Sequence, residues 1–325
     1  MTFEEIENLL RSFRKIYLSV DRDEIGKSLA DLKSAAVAKG DEIAAKHAWC
    51  LESVNDVQRA YISAFAHAKL GEFFDAWCNL ESAEISLIHL RPHLEESFAE
   101  YFLDWIDLYV SRYQQLFPYR LFSSIGVIVK RRECSIWGAK VGLRRGCAHR
   151  KGEIYSGEMC CDIICESELL EISMVEHPVN KYTVPFDAAG EGHNDWIDNY
   201  DYTQLAFIID RVVSPFDEWE MTFTTRRASR DEYLDYSESA ECPCGSKIKY
   251  ADCCSGKNWF DVPHANVSFR KKLPENRPYL VRGHGPGVKG RLTRRSGDNR
   301  FWTRYCGLPR KTQVGGKGEY SHPCL

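Results

Sequence analysis

The spacing of apolar residues along this chain changes period near its first third. Over residues 1–120 apolar positions recur at steps of three and four, the pattern of helices that bury one face. Glu4–Leu18 and Asp23–Lys39 read as two such helices, and Val54–Lys69 and Glu72–Leu90 as two more on either side of Gly71. The last of these carries Phe73, Trp77, Leu80, Ile85 and Ile88. Phe98, Phe102, Trp105, Tyr109, Tyr113 and Leu116 then form an aromatic stripe on a helix expected to end near Pro118. At helical spacing a stripe of this kind is core rather than a cofactor pocket.

Beyond Leu121 the period shortens toward two. Ile125–Lys130 and Ala206–Ile209 read as strand or buried segments, and Leu170, Ile172 and Met174 alternate with Leu169, Glu171 and Ser173 as a half-buried strand does. Tyr200–Asp217 holds a short helix that stops before Pro215, and Trp219, Met221 and Phe223 alternate again. Thr224–Glu241, dense in Arg, Ser, Asp and Glu, reads as a polar linker. The pattern therefore predicts an α+β multidomain protein. Residues 1–120 form a helical bundle or hairpins, 121–223 a small α+β domain, 224–241 the linker, 242–257 a cysteine-rich knuckle and 258–325 a tail. The turn Leu70-Gly71-x-x-Phe74, followed by Ala76, resembles a tetratricopeptide hairpin, although one unit makes no array.

Charge separates the tail from the rest. Residues 255–325 carry 15 Lys plus Arg against 4 Asp plus Glu, and the remaining residues 28 against 43, under a net charge of only −4. With Gly and Pro frequent and apolar runs few, the tail is expected to be disordered. Trp259, Phe260, Phe269, Tyr279, Phe301, Trp302 and Tyr305 interleave with its cations as a nucleic-acid stacking surface would require. The opening MTFEEIENLLRSFRK builds no apolar run of signal-peptide length, and no stretch approaches the ~20 apolar residues of a membrane helix. Thirteen cysteines then point to metal ligands and free thiols in a reducing, cytoplasmic setting.

The spacing of Cys242, Cys244, Cys253 and Cys254 comes close to dictating a chemistry. Four thiols within thirteen residues can converge on one tetrahedral ion at Zn–S distances of about 2.3 Å. Gly245 and Ser246 suit the turn that brings the first pair round to the second. So short a segment has no core, and the metal would supply most of its folding free energy. The run CPCGSKIKYADCC resembles the SEC-C motif, a zinc-binding element at the end of the bacterial preprotein-translocase ATPase and appended to many bacterial proteins. The four cysteines fall on its ligand positions; Pro243, Gly245, Ser246, Lys249 and Tyr250 also match, while Lys247 stands where glycine is usual. The resemblance implies a Zn2+ knuckle that contacts another protein.

A second candidate centre lies upstream. Cys134, Cys147, His149 and Cys160 offer a set of three thiols and one imidazole, with Cys161 or Cys165 as substitutes for Cys160. Gly146-Cys147-Ala148-His149 and Gly152-Glu153-Ile154-Tyr155-Ser156-Gly157-Glu158-Met159-Cys160 resemble a family of uncharacterised bacterial proteins whose first element is Cys-x-x-Cys-Gly. Trp137 stands in place of that element's second cysteine, so four ligands require His149. With three ligands the site would be open, as in a metal-assisted hydrolase.

Two catalytic readings compete with these. Leu169–Val175 followed by Pro178 is similar to a strand of phage prohead proteases, which implies Ser173 as nucleophile and His149 as base. Gly26-Lys27-Ser28 copies the end of a phosphate-binding loop, but the opening glycine would be Asp21, and Asp23 and Glu24 would face the phosphates. A helix start near Asp21–Asp23 accounts better for those residues. The expected function is that of a non-enzymatic zinc protein with a protein partner. Nucleic-acid binding through the tail is the alternative, and a hydrolase or protease the third reading.

Overall fold

Side-chain caps decide where the first helices begin. Thr2 and Glu5 close a capping box on α1 (Phe3–Arg11), the Thr2 amide donating to Glu5 Oε2 at 2.7 Å. A single turn, α2 (Phe13–Ile16), leads to Asp21, whose carboxylate accepts the amides of Asp23 and Glu24 at 3.0 Å and starts α3 (Arg22–Ala38). Gly26, Lys27 and Ser28 therefore lie inside a helix, as the cap reading expects, and form no phosphate loop. Asp41 caps α4 (Glu42–Leu70), which ends on Gly71 at φ 77°, a left-handed turn that glycine adopts without strain. α5 (Phe73–Leu94) returns along α4.

The aromatic stripe is not one helix. A 3-10 turn, Glu95–Tyr101, runs into Phe102 at φ 61°, and α6 (Leu103–Gln114) starts there. The left-handed residue resets the helical phase; of the stripe Phe98, Tyr109, Tyr113 and Leu116 are buried, while Phe102 and Trp105 are half-buried, so most of it is core.

The structure, a computed structural model, describes residues 1–142, 146–188 and 196–270, and their contacts gather into two units, the first Met1–Asp210 and the second beginning at Arg211. Expected boundaries near 120 and 223 give way to one near 210. The reason is an aromatic cluster shared by helices and the following chain. Trp77 of α5 packs on Phe117, Tyr119 and Phe122 at 5.0, 4.9 and 6.0 Å, and its indole N–H donates to the Lys181 carbonyl. Phe73 meets Tyr202 at 4.5 Å and Phe74 meets Phe186 at 4.9 Å.

The strands of this unit are antiparallel. β1 (Phe122–Cys134) pairs along its length with β5 (Asp162–Val175) and at its far end with β2 (Lys140–Val141). The small hairpins β3 (Ile154–Tyr155)–β4 (Glu158–Met159) and β6 (Asp187–Ala188)–β7 (Trp196–Ile197) complete the sheets. Ala206–Ile209, expected as strand or buried chain, lies in helix α7 (Thr203–Ile209), where Leu205, Ile208 and Ile209 are buried at helical spacing. In the β1–β5 ribbon a bulge leaves Leu170 unpaired between Gly126↔Glu171 and Val127↔Leu169. Directly paired residues share a face, so the extra residue puts Leu169 and Leu170 on the same side as Ile125 and Ile172. Glu171 lies over Gly126 on the other side, where an added Cβ would meet its Cγ at 2.8 Å.

The second unit is built on β8 (Trp219–Ser229) paired with β9 (Trp259–Phe269). The first residues of the expected linker are therefore strand, and the tail's opening residues are its partner. Both were obscured by a ribbon largely open to solvent, which tolerates Thr and Arg where a buried strand would not. The tail from 271 to 325 lies outside the described residues. No helix among those described is long and apolar enough to cross a membrane.

Candidate metal centres

Between the paired ends Ser229 and Trp259 the chain makes an excursion that gathers four thiols. Cys242, Cys244, Cys253 and Cys254 place their sulfurs within 4.8 Å of one another. Cys244–Cys253 and Cys253–Cys254 are 3.6 and 3.7 Å apart. Bonds of about 2.3 Å to one tetrahedral ion set sulfurs about 3.8 Å apart, so the set fits a single metal. The turn is held by backbone: Gly245, at φ 81°, donates to Cys242, Cys242 donates to Ile248, and the amides of Cys253 and Cys254 return to Tyr250. Tyr250, Cys242 and Cys254 are buried with Ala228, Phe260 and Val262 of the ribbon, and Tyr233 and Tyr236 pack alongside. The knuckle therefore rests on the β8–β9 ribbon instead of hanging from a flexible linker.

Four thiols this close cannot all ionise without a cation. The Ser246 hydroxyl and neighbouring donors draw the Cys244 thiol down to about 6. Burial pushes Cys242 up to about 12 and raises Cys254 as well. Ser246 Oγ sits 3.2 Å from Cys253 Sγ, and the Lys257 ammonium donates to Cys254 Sγ at 3.7 Å. From sequence Ser246 belongs to the turn and neither group is placed beside sulfur, although Ser and Lys close to a thiolate pair are ordinary partners for its charge.

The second centre forms where β1 ends. Cys134, Cys147 and His149 have their donor atoms within 4.8 Å of one another, with Cys134 Sγ 3.6 Å from His149 Nδ1. Cys160 Sγ is 3.9 Å from Cys134 Sγ but does not lie within 4.8 Å of all three donors, so three of the four expected ligands converge and Cys160 stands at the edge of the cluster. Cys165 sits within β5, bonded to the Ile163 carbonyl, and the Cys161 amide donates to Ser135. Burial opposes ionisation of Cys134, but the amides of Trp137 and Ile136, with Cys147 and His149, bring it down to about 6. Burial pushes Cys160 up to about 11. Trp137, in place of a cysteine, packs edge-on against the imidazole at 4.2 Å, and Tyr155 does so at 4.4 Å. Both orient His149 toward sulfur.

Helices α3–α5 hold the turn beside this centre. Glu42 accepts from the Ser156 amide at 2.7 Å and its hydroxyl at 3.1 Å, Lys33 bridges Glu52 and Glu158, and His93 Nε2 meets the Gly152 carbonyl at 2.9 Å. Gly157, at φ 73°, lies so near Lys33 and the Ala45 carbonyl that a Cβ would clash. None of these helical anchors was named from sequence, because their partners in the turn are more than fifty residues away.

The protease pairing does not assemble. Ser173 pairs with Ser124 near one end of the ribbon, while His149 sits by Cys134, opposite Asp162, at the other. Eleven residues of strand separate Asp162 from Ser173, on the order of 35 Å. A third group, His67, Glu72 and Asp75, was not foreseen; His67 Nδ1 meets Glu72 at 2.7 Å across the α4–α5 turn, where it serves as an exposed helix-end pair. No family model, curated protein or solved structure matches the chain.

Proposed function

We propose that the chain is a non-enzymatic, cytoplasmic protein with two structural zinc ions, and that its four-cysteine knuckle makes contact with a protein partner. The convergence of Cys242, Cys244, Cys253 and Cys254 within 4.8 Å carries the reading, together with the resemblance of this run to the SEC-C motif. Thiolate-rich tetrahedral sets select zinc over harder ions. At the second centre Cys134, Cys147 and His149 converge, and Cys160 at 3.9 Å from Cys134 Sγ supports a fourth donor and with it a structural ion over a hydrolytic one.

The recognition role rests on the surface the knuckle shows. Ile248 is 51% exposed between Lys247 and Lys249, on a turn whose backbone is fixed by the cysteines. A rigid turn with an exposed apolar side chain between two cations suits an acidic protein surface. Elemental analysis of the purified full-length chain tests the first part, with two zinc per chain expected. A photo-crosslinking residue at position 248 tests the second: a discrete adduct in cells that disappears in Cys242→Ser/Cys244→Ser supports the reading, and an adduct indifferent to that change counts against it.

A further inference from the structure

The β1–β5 ribbon is open to solvent on both faces over much of its length, and one of those faces is apolar. Ile125, Leu169, Leu170, Ile172 and Met174 are between 51% and 67% exposed, and Val127 and Val129 continue the patch at 36% and 42%. The bulge at Leu170 is what makes the face continuous, since without it one of the two leucines would turn to the other side. That other side carries Glu168, Glu171 and Lys130 around one exposed apolar residue, Ile128 at 49%, with Lys130 and Glu168 paired at 2.6 Å. A two-stranded ribbon with one face apolar is marginal in water by itself and gains stability from a second layer.

We propose that this face is the interface of a symmetric dimer, packed against the same ribbon of a second copy of this chain. Two properties select a second copy as the occupant. First, the face holds no charged side chain among its paired positions from Ser123 to Val129, so two copies meet without like-charge repulsion. Second, its seven apolar side chains offer on the order of 600 Å² per copy, near the ~800 Å² per partner of a standard interface once their rims are included. Two ribbons stacked about 10 Å apart would give a four-stranded sandwich with an isologous contact. The inference rests on the ribbon and not on the identity of either metal.

Sedimentation velocity of the full-length, metal-loaded chain from about 1 to 100 μM tests it, with Leu170→Thr/Ile172→Thr as the variant. Threonine keeps β-propensity, and both side chains are exposed in the single chain. The expected result is a shift to twice the monomer mass in the parent and at least a tenfold weaker dimer in the variant, with circular dichroism and zinc content unchanged. A parent that stays monomeric at 100 μM overturns the proposal and leaves the face to another protein or to residues 271–325. A dimer of undiminished affinity in the variant overturns it too. So does a variant that fails to fold, because the face would then be covered within one chain.

Discussion

The two ribbons carry their cysteine clusters on different supports. At the end of β1–β5 the cluster is anchored on a helical bundle through Glu42, Lys33 and His93, residues whose own positions are set by long helices. At the end of β8–β9 the cluster rests on its own ribbon, and the shared core is six buried residues, of which two are the cysteines Cys242 and Cys254. A centre of the first kind can keep its surroundings when the ion leaves. In the second, on the proposed reading, metal and fold would be nearly one equilibrium, because so small a core cannot offset the conformational entropy of the excursion.

The largest expected contrast follows from removing one ligand pair. Cys242→Ser/Cys244→Ser should release one zinc per chain and abolish the near-ultraviolet signal and amide protection of the knuckle, while far-ultraviolet helicity is retained. Loss of helicity alongside the zinc would erase the distinction between the supports. His149→Ala should release the other ion with a smaller structural consequence, a fall in melting temperature of several degrees with the bundle intact. Zinc stoichiometry and a thermal melt check both; an unchanged stoichiometry would remove His149 from the ligand set.

Proton competition sharpens the same comparison. One thiol in each cluster, Cys244 and Cys134, is already drawn down to about 6, so protons compete for that ligand below that pH. Above it, Cys242 and Cys254 must each still give up a proton in one centre, against Cys160 in the other. Apparent zinc affinity should therefore rise with pH between about 6 and 8 at both, and more steeply at the all-thiolate centre. Competition with a chromogenic chelator measures it, and equal slopes would contradict the assigned protonation. The smallest effect is expected for Glu42→Ala, which removes two hydrogen bonds to Ser156 and should cost about 1 kcal/mol at this exposed site without loss of zinc.

What was legible in the sequence was whatever is decided locally. Cys242 to Cys254 lie within one turn-rich run, Asp21 caps the helix that follows it, and Gly71 marks the end of α4; each needs only its neighbours. The break at Phe102 was hidden, since an aromatic residue at a left-handed position is dictated by packing on both sides of it. β9 was hidden because strand pairing across thirty residues leaves no local mark, and its basic sequel dominated the composition. Alternation in Leu169–Met174 told which face of β5 is apolar, while the bulge that adds Leu169 to that face depends on the register with β1.

The excursion that holds Cys242 to Cys254 leaves the ribbon at Ser229 and rejoins it at Trp259, residues that face each other across the strands. Mechanically, the four cysteines lie at the closed end of a hairpin whose open end is Trp219 and Phe269. Tension applied to the chain on either side of the ribbon must unzip eleven paired positions before it reaches the four cysteines. A pulling experiment should therefore record the ribbon's opening first and the rupture of the cluster last, as a separate event at greater extension.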